Sequence, residues 1–165
     1  MEKFEKYHPI MTPHYTFNWL TSARLNKSTE LMQHYYQDAT LTTTKAASLI
    51  NQTMLKVMRD QQLTWGVFDR ASNELVGLAN LFEINQQQAA LSIELELTAM
   101  QPERGVRELL ARLVSFAFAE LDMKTLYFKQ TTTKIDPAIL DQLGFTANPA
   151  TNDWLLNRAV SIERV

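Results

Sequence analysis

"QPERGVRELL", residues 101 to 110, joins an apolar, strand-like run to an amphipathic helix. A glycine-containing loop at such a junction is a place where proteins cradle phosphates. Backbone N–H groups converge at the start of the helix, and its dipole favours negative charge. This stretch has one glycine, Gly105, with Arg104 before it and Val106, Arg107 and Glu108 after it. Arg104 and Arg107 could hold an anion through charge-assisted hydrogen bonds, or they could be surface arginines beside Glu103 and Glu108. Just upstream, "AALSIELEL" (89 to 97) alternates at period two. Leu91, Ile93, Leu95 and Leu97 then share one face of a strand, and Ser92, Glu94 and Glu96 share the other. Glu94 and Glu96 are either ordinary carboxylates on a solvated face or a partly buried pair. In a buried pair, like-charge repulsion raises one pKa and makes a base.

Other chemistries are poorly provided for. The chain has no cysteine, which removes disulfides, a thiolate nucleophile and thiolate-bound zinc together. His8, His14 and His34 fall on a predicted tail, strand and helix with no metal-ligand spacing, so no metal and no catalytic histidine is expected. There is no serine-centred nucleophile elbow and no Walker-type loop. A formal net charge of −2 lacks the basic footprint of nucleic-acid binding, so no nucleic-acid partner is expected. No run approaches the roughly 18 apolar residues of a membrane span, and "MEKFEKYHPIMTPHY" lacks the apolar core of a signal peptide. The expectation is a soluble, cytoplasmic protein with no membrane partner. With 165 residues, 45% of them hydrophobic, one domain over 1–165 is expected.

Periodicity supplies the elements that must position the candidate groups. "HYTFNWLTSA" (14 to 23) alternates like a first strand. "STELMQHYYQD" is a helix with Ser28 as N-cap and Glu30 in the first turn. "TKAASLINQTMLKVMRDQQ" is a second, with Ala46, Ile50, Met54 and Val57 at helical spacing. "LTWGVFD" (63 to 69) and "LVGLANLFEI" (75 to 84) flank the polar "RASNE", and with 89 to 97 they make three consecutive antiparallel strands. A helix from Arg107 to Leu121 puts Leu109, Leu113, Phe116, Ala117 and Leu121 on one face, and "TLYFKQ" (125 to 130) follows as a strand. Strand, helix, strand in that order predicts a crossover between parallel neighbours. "DPAILDQLGF" (136 to 145) is a helix punctuated by Asp136 at the N-cap, Pro137 at the first position and Gly144 just past the end. A closing strand pair falls near Phe145 and in "DWLLNRA" (153 to 159). The whole reads as an α/β fold, a mixed sheet with helices on its faces.

Two stretches carry a resemblance. "ELLARLVSFAFAELDMKTLYF" opens on Glu108 and closes its helix on Phe116, Ala117 and Phe118; "ILDQLGF" ends on Leu143, Gly144 and Phe145. With the element order, they make the chain similar over nearly its whole length to the GNAT superfamily of acetyl-CoA-dependent N-acetyltransferases. Within it, the chain most resembles the ribosomal-protein alanine and serine N-terminal acetyltransferases. The resemblance implies a GNAT-like mixed, mostly antiparallel sheet with helices on both faces. It implies acetyl-CoA as co-substrate, and a primary amine, on a small molecule or a protein N-terminus, as acceptor. Acetyl-CoA would lie in a slot between the strand ending near Leu97 and the strand from Thr125. Backbone groups at Thr98, Ala99 and Met100 would polarise the thioester carbonyl, and Arg104, Gly105, Val106, Arg107 and Thr133 would surround the cofactor. Glu94, slightly preferred, or Glu96 would be the base. Tyr127 is either the proton donor to the leaving thiolate or a packing aromatic.

The chain departs from the family pattern in three places. Aligned without gaps, Pro102 and Arg104 stand where the phosphate loop has its glycines, and Pro102 has no N–H to donate. Thr133 and Asp136 stand where relatives have Asn and Ser, and the last long helix lacks the Tyr some relatives use as an acid. These departures support a second reading, a non-catalytic GNAT-fold binding or regulatory protein that has lost acetyl-CoA. A third is a site for another acyl carrier or anion. The acceptor and the oligomeric state are not legible.

Overall fold

The computed structural model describes residues 3–95, 102–130, 135–151 and 153–159. Its strands are β1 (Ile10–Met11), β2 (Tyr15–Asn18), β3 (Leu63–Asp69), β4 (Leu75–Phe82), β5 (Gln88–Leu95), β6 (Thr125–Phe128), β7 (Thr146–Ala147) and β8 (Trp154–Asn157). Its helices are α1 (Leu25–Tyr35), α2 (Thr43–Met58), α3 (Pro102–Ala119) and α4 (Pro137–Gln142). The strands form one sheet in the order β1-β2-β3-β4-β5-β6-β8-β7. Its neighbours are antiparallel except β5 and β6, which run parallel and are joined through α3 as the crossover predicts.

Alternation along the central strands sorts the side chains into two layers. Trp65, Ala79, Leu81, Leu91, Ile93 and Leu95 join Leu109, Leu110, Leu113 and Phe116 of α3 in one core. On the other face, Leu78 and Phe68 join Leu31 and Met32 of α1 and Ala46 and Ile50 of α2. Helices therefore cover both faces. The consequence for β5 is decisive, because Ser92 and Glu94 point into this second layer and are buried there. The solvated-face alternative for Glu94 is overturned: a polar side of a strand is wet only if nothing covers it, and α1 and α2 cover this one. Glu96 lies outside the described residues.

The layer beneath α1 and α2 contains a polar strip. Gln62 Nε2 donates to Thr64 Oγ1 (2.9 Å), Thr64 Oγ1 to Asn80 Oδ1 (2.7 Å) and Asn80 Nδ2 to Ser92 Oγ (3.2 Å). Hydrogen bonding of this kind is what allows buried polar groups at low cost. One rung further along, Gly66, Leu78 and Glu94 lie abreast.

Three expected boundaries move. The first strand is shorter than 14–23, because the chain leaves Asn18 and turns through a single 3-10 turn at Leu20–Ser22. Helix α1 starts at Leu25 with Arg24 at its N-cap, so Ser28 is not the cap. Ser28 is buried inside the helix, and its hydroxyl donates to the carbonyls of Arg24 and Leu25, the local bonding that lets serine sit within a helix. Glu30 consequently lies past the first turn. Most important, α3 begins at Pro102, not Arg107, and Gly105 is inside it. Proline suits a helix start, and burial of Val106, Leu109 and Leu110 draws the helix back through the glycine despite a cost of about 1 kcal/mol for glycine in a helix. The expected glycine loop over 102–106 is the first part of a helix.

Candidate active site

The parallel register of β5 and β6 runs from Gln88–Thr125 to Leu91–Phe128, and Lys129 N donates to the Leu91 carbonyl at 2.9 Å. Strand β6 ends there, while β5 runs on to Leu95 beside β4. Glu94 is in this overhanging stretch, and its backbone is held closely. A Cβ added at Gly77 of β4 would collide with the Glu94 carbonyl oxygen, so the glycine lets the two strands approach.

The Glu94 side chain has 0% exposure, and His34 Nε2 of α1 lies 3.0 Å from its Oε1. No spacing in the sequence signals this pairing, which sets His34 against one of the two candidate bases. Helix α1 places His34 by burying Leu31 and Met32 on the sheet, while Gln33 Nε2 donates to the Leu41 carbonyl (2.8 Å) and ties the helix to the segment leading into α2. His34 is about half exposed, at 46%. It lines an open cavity of about 500 Å³ with Glu30, Gln33, Gln37, Asp38 and Ala39. Burial raises the phenol pKa of the adjacent Tyr35, and the charges of Tyr36 and Glu94 push it in the same direction, so Tyr35 is a neutral hydroxyl. Hydrogen bonds from the Thr40 hydroxyl and backbone hold the Asp38 carboxyl below its ordinary range. One wall of the cavity is therefore anionic.

A second cavity of about 510 Å³, lined in part by Thr16, Asn18, Arg24, Lys27 and Glu74, has no buried ionisable group on its wall. Among the described residues, Glu94 is the buried carboxylate, and it meets His34.

The other expected residues are distributed less favourably. Tyr127 is paired with Ala90 and so shares the face of Glu94, but it stands four positions back along the register, roughly 13 Å at the rise of a strand. Its hydroxyl lies 3.5 Å from Gln88 Oε1, and the structure does not bring it to Glu94. Gly105 is buried in α3, and Val106 commits its side chain to the core. Arg107 is exposed on α3. Arg104 is in α3 with its side chain outside the description, and Thr98, Ala99, Met100 and Thr133 lie outside the described residues altogether.

A second glutamate–histidine pair holds the start of α3. Glu108 Oε2 accepts from the Thr12 hydroxyl (2.5 Å) and the His14 backbone N–H (2.9 Å), and Oε1 lies 2.7 Å from His14 Nδ1. Partial burial pushes the Glu108 carboxyl pKa up, but the Thr12 and His14 hydrogen bonds and the His14 charge outweigh it and hold the group below the usual carboxylate range. This clasp joins α3 to the chain entering β2.

A family model described as an acetyltransferase (GNAT) domain matches residues 14–138. Solved structures match across nearly the whole chain at low identity. A ribosomal-protein-alanine acetyltransferase of Vibrio fischeri superimposes with a TM-score of 0.66 at 12% identity, covering 90% of this chain and 94% of that one. A mutant of the spermidine N-acetyltransferase SpeG from Vibrio cholerae gives 0.67 at 15% identity, covering 92% and 98%. The Campylobacter jejuni N-acetyltransferase PseH in complex with acetyl coenzyme A gives 0.63 at 11% identity, covering 87% and 99%. No curated protein matches the sequence. Among the described residues, no helix is long and apolar enough to cross a membrane.

Proposed function

The chain belongs to the GNAT acetyltransferase family, and from that premise we propose that it transfers the acetyl group of acetyl-CoA to a primary amine, with Glu94 as the base. The acceptor is a small amine or a protein N-terminus. The observation that carries this reading is a carboxylate at 0% exposure on the stretch of β5 that outruns its parallel neighbour β6. A primary amine is a cation at neutral pH and must lose a proton before its nitrogen can attack. A base placed within hydrogen-bond reach of that proton is worth about 10²–10⁴ in rate.

The end of the β5–β6 pairing, with β5 running on, fits a slot for the cofactor's pantetheine arm. When bound there, acetyl-CoA supplies the activated acetyl thioester. The first turn of α3 offers backbone N–H groups, and Arg107 an exposed guanidinium, to the phosphates. The family resemblance also assigns Arg104, Gly105, Thr98, Ala99, Met100 and Thr133 to the cofactor. Val106 would contribute backbone alone, and the contact of Tyr127 with Gln88 supports a packing role.

One observation favours the non-catalytic reading instead: residues 102–106 are helical and lack a glycine-rich loop. Thermal denaturation with acetyl-CoA, with coenzyme A as control, separates the two. Ligand at about 100 times its dissociation constant stabilises the native state by about 2.7 kcal/mol. The expected result is a clear rise in Tm that is lost in the Arg104→Ala/Arg107→Ala double variant. Coenzyme A release should follow when spermidine or an alanine-initiated peptide is added. No rise in Tm with either ligand would establish the non-catalytic reading.

A further inference from the structure

We infer that His34 is a positioning residue for the transfer reaction, holding Glu94 as an aimed carboxylate between the core and the cavity. This rests on the reading of Glu94 as the base. A carboxylate removed from water is stable as an anion only where donors replace the lost hydration. His34 supplies such a donor from outside the strand: Nε2 meets Oε1 at 3.0 Å, which fixes the rotation of the carboxyl group. Donating through Nε2, the ring meets Glu94 as a hydrogen-bond donor. The acceptor ammonium loses a proton that ends on Glu94, the amine nitrogen keeps the electron pair, and Glu94 later gives the proton up to water.

The surroundings of His34 make this more than a surface contact. Its ring is half exposed and its partner is fully buried, so the imidazole forms the boundary between the cavity and the carboxylate. Among the described residues, the charged and titratable groups around it are Glu94 from β5, Tyr35 and Tyr36 at the end of α1, and Glu30 and Asp38 on the cavity wall. Of these, Glu94 alone is both buried and in contact with the ring, so loss of His34 should be felt first at the base.

The test compares wild type, His34→Ala and His34→Gln by coenzyme A release from acetyl-CoA, with spermidine and an alanine-initiated peptide as probe amines. His34→Ala should lower kcat on the order of ten- to a hundred-fold, the scale of a hydrogen bond to a charged group. The Tm rise with acetyl-CoA should be unchanged. His34→Gln, whose amide N–H can still reach Oε1, should recover most of the rate. A wild-type kcat in His34→Ala would overturn the inference while leaving acetyl transfer standing. So would a slow His34→Ala that His34→Gln fails to rescue, since that pattern is a packing defect. A wild type that neither binds acetyl-CoA nor releases coenzyme A would remove the acetyl-transfer reading, and this inference with it.

Discussion

Glu108 and Glu94 each meet a histidine, at 2.7 and 3.0 Å. Glu108, at 15% side-chain exposure, is gripped from one short segment by the Thr12 hydroxyl, the His14 N–H and the His14 ring. Both its oxygens are committed to that segment, and its charge is stabilised where it stands. Glu94 is sealed beneath α1 and α2 on the overhanging part of β5, with a half-exposed imidazole between it and a cavity. The same two residue types thus make a clasp in one place and a candidate base in the other. Burial and what lies beyond the histidine separate them, since a general base needs a route to its substrate's proton and a clasp needs none.

The largest expected effect breaks the comparison at its centre. Glu94→Gln keeps the shape of the side chain and removes the base, so coenzyme A release with a probe amine should fall by about 10²–10⁴. The acetyl-CoA-induced rise in Tm should persist. Glu108→Gln should leave kcat near the wild-type value, because that carboxylate is spent on holding Thr12 and His14. Equal losses of rate in the two variants would remove the distinction.

A smaller effect is expected from the strand beneath Glu94. Gly77→Ala places a methyl group against the Glu94 carbonyl oxygen and close to the Leu95 side chain, so β4 and β5 must part. Overpacking of this kind costs about 1–3 kcal/mol. Urea denaturation should show that loss, and kcat should fall as well, because the strand that shifts is the one that aims Glu94.

Much of this frame is legible in the sequence where local chemistry decides. The expected strands at 63–69 and 75–84, with a polar turn between, became β3 and β4, the second ending at Phe82. Asp136 caps α4 by accepting from Ala138 N at 2.9 Å, and Gly144 adopts φ 100° just past its end, both as residue type requires. Legibility fails where tertiary packing overrides a local signal. The polar side of β5 reads as wet, yet two helices bury it. A glycine between strand and helix reads as a loop, yet the apolar stripe of Val106, Leu109 and Leu110 carries α3 through it. His34 meets Glu94 only because α1 packs on β4, a contact that no spacing in the sequence encodes.

The smallest expected effect tests the other half of the comparison, by pH. The Glu108 carboxyl is held below its ordinary range in the folded chain, so the unfolded state binds the proton more readily. The clasp therefore contributes stability above the unfolded value and loses it as pH falls through the folded one. Glu108→Gln should cost about 1–2 kcal/mol at neutral pH, the worth of hydrogen bonds to a charged, partly exposed group. In urea melts taken between about pH 7 and pH 3, the gap from wild type should narrow towards acid as the wild-type carboxyl takes up its proton. A gap that stayed constant with pH would mean that Glu108 holds α3 by shape and neutral hydrogen bonds, and that charge has no part in the clasp.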